Sequence, residues 1–116
     1  MALGLMGGIV IVIDPRHITN PDTDLSNVVP DAIDEHSHGL LRSDGWAYSA
    51  SDSMHLYFLA HDMRESLSVA ISILSQHMFK GNDLSGSVIG YRAGSVGSYE
   101  VLHPQSLLGT VIEDVS

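Results

Sequence analysis

The sequence contains no cysteine and few basic residues. Without cysteine the chain has no disulfide bond, no thiolate nucleophile and no cysteine-ligated zinc or iron–sulfur site. Secreted domains of this size often depend on disulfide bonds, so we expect a cytoplasmic protein. The 5 lysine and arginine residues are scattered along the chain, which argues against binding to nucleic acid.

Long hydrophobic runs are also lacking. The apolar stretch at residues 1–13 is too short to span a bilayer, and it has neither the basic start nor the cleavage pattern of a signal peptide. We therefore expect no membrane association. Met1 to Gly7 is predicted as a flexible start. Gly8 to Ile13 is predicted as a central strand, because an unbroken β-branched run is typical of a strand with both faces covered.

Length and composition indicate one folded domain over residues 1–116, with a second flexible end at 113–116. Hydrophobic residues make up 44% of the chain, which is enough for one core. Acidic residues outnumber basic ones by 14 to 5, giving a net charge of -9. Such a chain repels nucleic-acid phosphates and anionic lipids and attracts basic surfaces.

The clearest element is a helix predicted over residues 62–80. Asp62 is a suitable N-cap, with Glu65 three residues later. Apolar residues then recur at spacings of three and four up to Met78. Val69 and Ile73 lie off this stripe, where they either widen the buried face or mark a second contact.

Further strands are predicted on both sides of this helix. Residues 54–60 alternate between an apolar and a mixed face, and residues 86–93 and 98–103 flank a glycine-rich turn. Residues 40–48 form either a hairpin around Asp44-Gly45 or one strand with a bulge at Gly45. A short edge strand is predicted at residues 110–112.

The predicted fold is therefore α+β, with a mostly antiparallel sheet, the 62–80 helix on one face, and a strand–helix–strand unit that is half of a ferredoxin-like motif. One helix covers one face only. The other face needs cover from the 15–39 segment, a partner or a second copy of the chain. The 15–39 segment reads as a long connection interrupted by prolines, with a short helix at 28–33.

No catalytic, metal or cofactor motif is evident, and we expect neither an enzyme nor a bound cofactor. The sequence has no G-x-S-x-G element, no H-E-x-x-H pair and no phosphate-binding glycine loop. His36 and His38 are two residues apart, so in an extended segment both rings could reach one metal ion. A solvated acidic loop explains the same two histidines without a metal.

The acidic stretch from Asp22 to Glu35 is the strongest candidate for function, because it contains no basic residue. A surface of this kind steers and binds basic proteins. Trp46, Tyr48 and Tyr57 would act as anchors if they are exposed, whereas Trp46 and Tyr48 would otherwise simply pack the sheet. The predicted partner-binding residues are Asp22, Asp24, Asp31, Asp34, Glu35, Trp46 and Tyr48.

Three segments together resemble bacterial immunity proteins of polymorphic-toxin systems. They are GIVIVIDPRHITNPDTDL, LAHDMRESLSVAISILSQHMFKGNDL and SYEVLHP, in a small acidic chain. The resemblance implies a cytoplasmic inhibitor that covers the active site of a cognate toxin domain, often a nuclease. It transfers no residue roles, because such proteins share architecture more than motifs.

The alternative is a small ligand-binding, metal-binding or enzymatic domain that uses the 15–39 segment. It would be a homodimer that buries the open sheet face. Its pocket residues would be Arg16, His17, His36 and His38. A third reading is a structural subunit of a larger assembly.

Overall fold

The computed structural model describes residues 7–94 and 96–115 of the chain. Six strands form one antiparallel sheet and two helices accompany it, which confirms the α+β prediction. None of the helices described is long and apolar enough to cross a membrane. In chain order the elements are β1 (Gly7–Ile13), α1 (Leu25–His36), β2 (Leu41–Tyr48), β3 (Met54–Ala60), α2 (Met63–Gln76), β4 (Val88–Ala93), β5 (Tyr99–His103) and β6 (Val111–Ile112).

The strand order in the sheet is β2-β3-β1-β4-β5-β6. The first six elements follow the βαββαβ order of the ferredoxin-like motif, in which each helix joins two strands with a third between them. The sequence alone predicts half of such a unit. The structure contains both halves, and β5 and β6 extend the sheet beyond β4. Of the predicted flexible start, all but Gly7 lies outside the described residues, and Gly7 begins β1.

The strand β1 lies at the centre of this motif, between β3 and β4. Its residues Ile9, Ile11 and Ile13 belong to the main core, on the face covered by both helices. Val10 and Val12 belong to a smaller cluster on the opposite face. The prediction of a strand covered on both faces is confirmed.

The helix α1 occupies about half of the segment predicted at 15–39 as a long connection and contains the short helix predicted at 28–33, so a second helix accompanies α2 on the main-core face. Leu25, Val29 and Ile33 recur every four residues and are all buried in the main core. An interior proline such as Pro30 costs a helix about 3 kcal/mol. Each buried aliphatic side chain contributes roughly 1.5–3 kcal/mol, so three of them outweigh the proline.

The helix α2 begins where the sequence predicts. The Asp62 carboxylate accepts a hydrogen bond of 2.9 Å from the backbone N–H of Glu65, which confirms the N-cap. Ile73 is buried and Val69 packs against the same core. These two residues therefore widen the buried face of the helix.

The end of α2 comes earlier than the predicted residue 80. The helix stops at Gln76, and Phe79 then enters the core. Lys80 and Gly81 have positive φ angles of 53° and 82°, so the chain reverses tightly. Phe79 and Asn82 exchange two backbone hydrogen bonds across this turn. Core burial of Phe79 thus overrides the helix-ending signal at Lys80-Gly81.

The segment at residues 41–48 is one strand with a bulge, and not a hairpin. Ser43 pairs with Phe58 and Trp46 with Leu56, so two residues of β2 oppose one of β3. Gly45 has a φ of 103°, which favours glycine at this bulge.

On the second face of the sheet, Ile112 and Val115 of the chain's own C-terminal segment (residues 105–115) contact the cluster of Val10, Tyr57 and Tyr99. Ile112 packs against the cluster on this face. The backbone N–H of Val115 donates to the Tyr57 hydroxyl at 3.0 Å. The Arg92 guanidinium donates to the Asp114 carboxylate at 2.7 Å. Cover from residues 15–39, which the sequence led us to consider, is not what the structure shows, since α1 lies on the main-core face.

A substitution at Gly90 tests whether the second face of the sheet is closely packed. A Cβ at Gly90 would lie 3.1 Å from Cδ1 of Ile112 and 3.0 Å from Cβ of Tyr99. Gly90→Ala should therefore lower the free energy of unfolding by roughly 1–3 kcal/mol, through overpacking. The matched control is Gly86→Ala, because a Cβ there meets nothing within 4 Å. Equal effects of the two substitutions in urea denaturation would contradict close packing on the second face.

Candidate functional site

Three of the predicted partner-binding carboxylates lie on one side of α1. Asp31, Asp34 and Glu35 are all exposed. Residues three and four apart are neighbours on a helix surface, so the three side chains form one acidic patch. The buried stripe of α1 faces the sheet, which leaves this patch on the solvent side.

Trp46 and Tyr48 lie on β2, the strand at one edge of the sheet. Their exposed fractions are 44% and 43%, so they do not serve as core residues. The two rings pack edge to face at 5.3 Å between centroids. Their cross-strand partners Leu56 and Met54 belong to the main core, so both rings project on the side of the sheet that carries α1.

Two contacts show that α1 runs alongside β2. Near the start of β2, the backbone N–H of Ser43 donates to the Asp34 carboxylate at 3.2 Å. At the end of β2, Tyr48 lines a pocket together with Asp22, which precedes α1. These contacts connect Asp34, Asp22 and Tyr48 along β2, Trp46 packs against Tyr48, and Asp31 and Glu35 are neighbours of Asp34 on the helix surface. We call this the edge surface, and it comprises Asp22, Asp31, Asp34, Glu35, Trp46 and Tyr48.

The seventh predicted residue, Asp24, is engaged within the chain. Its carboxylate accepts a hydrogen bond from the Asn27 side chain at 3.0 Å and lies 3.2 Å from the Lys80 ammonium. These two contacts lower the pKa of Asp24. Asp22 lies farther from the same ammonium, at 4.0 Å, and its Oδ1 accepts from the backbone N–H of Asp24. Asp24 is thus a structural residue of the turn before α1.

A pocket of about 310 Å³ opens at the end of the sheet beside Tyr48. Ile13, Met54 and Tyr48 stand in register across three adjacent strands and form one side of it. Leu25 and the segment 15–21 form the remaining apolar lining. We call this cavity the Tyr48 pocket.

Among the residues that the structure describes, two carboxylates and no basic side chain line the Tyr48 pocket. One is Asp22, which the sequence analysis selected. The other is Asp52, in the turn between β2 and β3, which it missed. The strand pairing that places this turn beside residues 15–21 has no local sequence signal.

Asn82 fixes the segment that lines the pocket. Its buried side-chain amide accepts from the backbone N–H of Asn20 and donates to the carbonyl of Asn20, both at 2.7 Å. The amide therefore pairs with the backbone much as a neighbouring strand would. This ties residues 15–21 to the turn after α2.

The histidines proposed as metal ligands do not converge. His36 stacks on His77, with 4.8 Å between ring centroids, and lies 3.6 Å from the Glu35 carboxylate. His38 is exposed in a left-handed turn with a φ of 53°. Among the residues that the structure describes, no group of three histidine, aspartate or glutamate side chains is placed to hold a metal ion.

Arg16 and His17 do not share a pocket with His36. The Arg16 guanidinium donates two hydrogen bonds to the Asp14 carboxylate, at 2.9 and 3.0 Å. With the backbone N–H of Arg16, these bonds lower the pKa of Asp14 to about 2. His17 lies 3.8 Å from the same carboxylate. The pocket residues of the alternative reading thus belong to two separate clusters.

His55 is the one histidine among the buried residues, with an exposed fraction of 6%. Within the described part of the chain, its Nδ1 atom is buried without a hydrogen-bond partner. Burial lowers the pKa of His55, although the charge of Asp114 acts in the opposite direction. The ring is on the second face of the sheet and lines a shallow groove beside the C-terminal segment.

Replacing Asn82 tests the support of the pocket. Asn82→Ala leaves the backbone N–H of Asn20 without its partner and removes one of the two hydrogen bonds that the Asn20 carbonyl accepts, and we expect a loss of about 1–3 kcal/mol in the free energy of unfolding. The matched control is Asn27→Ala, an exposed residue whose side chain donates one hydrogen bond to Asp24. We expect it to change stability by about 0.5 kcal/mol or less. Similar losses of unfolding free energy in both variants would show that Asn82 stabilises the segment at residues 15–21 no more than an exposed asparagine does.

The burial of His55 predicts a pH dependence of stability. Because the folded-state pKa is lowered, the unfolded chain binds the proton first as the pH falls. The stabilisation is complete above about pH 6.5 and is lost progressively below it, with a slope of up to about 1.4 kcal/mol per pH unit. Denaturation between pH 7 and 5 should show a smaller slope in His55→Gln than in the wild type. His61→Gln, at an exposed position, is the control. An unchanged slope in His55→Gln would contradict the assignment of the pH dependence to His55.

Comparison of the chain with protein-family models, curated protein sequences and solved structures found no match. The function must therefore be inferred from the geometry and charge of the chain itself. The edge surface and the Tyr48 pocket are the features that carry such an inference.

Proposed function

We propose that this chain binds a basic protein through the edge surface and acts as an inhibitor of the immunity type. In this proposal the partner is a toxin domain whose active site the chain covers. The observation that carries the proposal is the exposed aromatic pair Trp46 and Tyr48 on β2, the strand that the Asp34 carboxylate of α1 contacts at Ser43.

The charge of the edge surface supports a basic partner. Asp31, Asp34 and Glu35 are exposed, and neither Asp31 nor Asp34 takes part in an ion pair among the described residues. Complementary charge raises the association rate and discriminates against other partners more than it raises affinity. The net charge of -9 adds long-range attraction in the same direction.

The aromatic pair can supply the binding energy that exposed carboxylates contribute only weakly. Tryptophan and tyrosine are enriched among the residues that dominate binding energy, because they bury a large area and lose little rotamer freedom. Trp46 and Tyr48 pack edge to face against each other, which restrains their orientation before a partner arrives. β2 is moreover an edge strand, to which a partner backbone can also pair.

The toxin part of the proposal draws on the resemblance to immunity proteins. A nuclease holds its substrate through basic side chains that contact phosphates. An acidic surface is complementary to such a site, and covering it would exclude the nucleic acid. The chain's own scattered basic residues suit an inhibitor better than a nucleic-acid-binding protein.

Neutralising the acidic patch tests the proposal. Asp31→Asn, Asp34→Asn and Glu35→Gln together keep the acceptor that Ser43 uses and remove three charges. We expect association with the partner to slow by roughly tenfold or more at low salt, and the difference from wild type to shrink as salt rises. The measurement is surface plasmon resonance against a partner captured from the native lysate and then purified.

The matched control changes the same number of charges elsewhere. Glu65, Glu100 and Glu113 are exposed and lie outside the edge surface. Their combined change to glutamine should leave association within about twofold of wild type. If both triple variants slow association equally, only net charge matters and the edge surface is not the binding site.

Loss of growth on expressing the partner, restored by co-expressing this chain, would support inhibition; a harmless partner would contradict it.

A further inference from the structure

We propose that the Tyr48 pocket receives the side chain of an arginine from the partner. This inference depends on the proposed function for the source of the arginine, but the pocket's preference for an alkylguanidinium group can be tested without any partner. The inference names the anchoring group on the other side of the interface.

The size and lining of the pocket suit the aliphatic part of such a side chain. Its volume of about 310 Å³ is at the lower end of the range for small-ligand sites, roughly 300–1,000 Å³. Ile13, Leu25 and Met54 line it and are otherwise buried. Three methylene groups of an arginine would replace water against this apolar surface.

The charges around the pocket select a cation. Asp22 and Asp52 are the two charged residues in its lining. Asp52 takes part in none of the ion pairs formed by the described residues. An anion would be repelled by both carboxylates, whereas a guanidinium can donate hydrogen bonds to them.

Tyr48 favours guanidinium over ammonium. A planar guanidinium is weakly hydrated and stacks on aromatic rings, which an ammonium cannot do in the same way. The ring of Tyr48 both lines the pocket and packs against Trp46. The pocket is thus continuous with the aromatic pair of the edge surface.

Lys80 is a cation of the chain itself that competes for Asp22. Its ammonium lies 3.2 Å from Asp24 but 4.0 Å from Asp22, and the residue does not line the pocket. Asp24 is therefore its closer partner, and Asp22 is neutralised only in part. Removing the charge of Lys80 should consequently strengthen cation binding in the pocket.

The first experiment uses n-butylguanidinium chloride as a probe for the isolated chain. Methyl resonances of Ile13, Ile18 and Leu25, which line the pocket, should shift on titration and give a dissociation constant. We expect n-butylammonium to bind more weakly, and n-butyrate not to bind. Equal shifts with n-butanol and n-butylguanidinium would show an apolar pocket without cation preference and would overturn the proposal.

Matched variants assign the preference to residues. Asp22→Asn with Asp52→Asn should weaken n-butylguanidinium binding by roughly three- to tenfold, and Lys80→Gln should strengthen it. Tyr48→Leu keeps an apolar wall but should abolish the preference for guanidinium over ammonium. Glu65→Gln, away from the pocket, is the control and should leave binding unchanged. Unchanged binding in the double aspartate variant would contradict the proposal.

The partner experiment separates this inference from the proposed function. If the purified partner binds as the edge surface predicts but the Asp22 and Asp52 double variant binds it with wild-type dissociation, the arginine anchor is wrong and the proposed function stands. If the pocket binds n-butylguanidinium but neutralising α1 leaves partner association unchanged, the proposed function is wrong and the pocket's cation preference stands. If the double variant dissociates from the partner faster than wild type and Lys80→Gln dissociates more slowly, both the arginine anchor and the proposed function are supported.

Discussion

The burial of β1 on both faces is the constraint on which the rest of the structure depends. Ile9, Ile11 and Ile13 need cover on one side and Val10 and Val12 on the other. Leaving any of these side chains exposed would forfeit roughly 1.5–3 kcal/mol each. The chain meets this need with two helices on one face and its own C-terminal segment on the other.

This division of cover determines which surface remains for binding. The C-terminal segment occupies the second face and extends the sheet at its β5 edge, so β2 is left as the opposite edge. α1 packs beside β2 and presents carboxylates there, and the bulge at Gly45 precedes the aromatic pair. The surface we propose for binding therefore follows from how a short chain closes its core.

The sequence predicts most of the sheet but not its connections. Alternation in β3 and the β-branched run in β1 are local signals, and both strands form as expected. α1 is longer than the short helix predicted at 28–33, because Pro30 obscured the four-residue spacing of Leu25, Val29 and Ile33. Asp24, which the sequence also predicts as a partner-binding residue, is instead paired with Lys80, a residue distant in the chain. The sequence gives no indication of Asp52 as a pocket residue, because only the tertiary fold brings it to the pocket that Asp22 also lines.

The most direct test of the edge surface is amide hydrogen exchange of the chain, free and bound to its purified partner. Exchange reports which backbone segments become protected at an interface. We expect slower exchange in the bound state at residues 41–48 and 22–35, with little change at residues 99–112. Protection confined to residues 99–112 would place the partner on the opposite edge of the sheet and contradict the central claim.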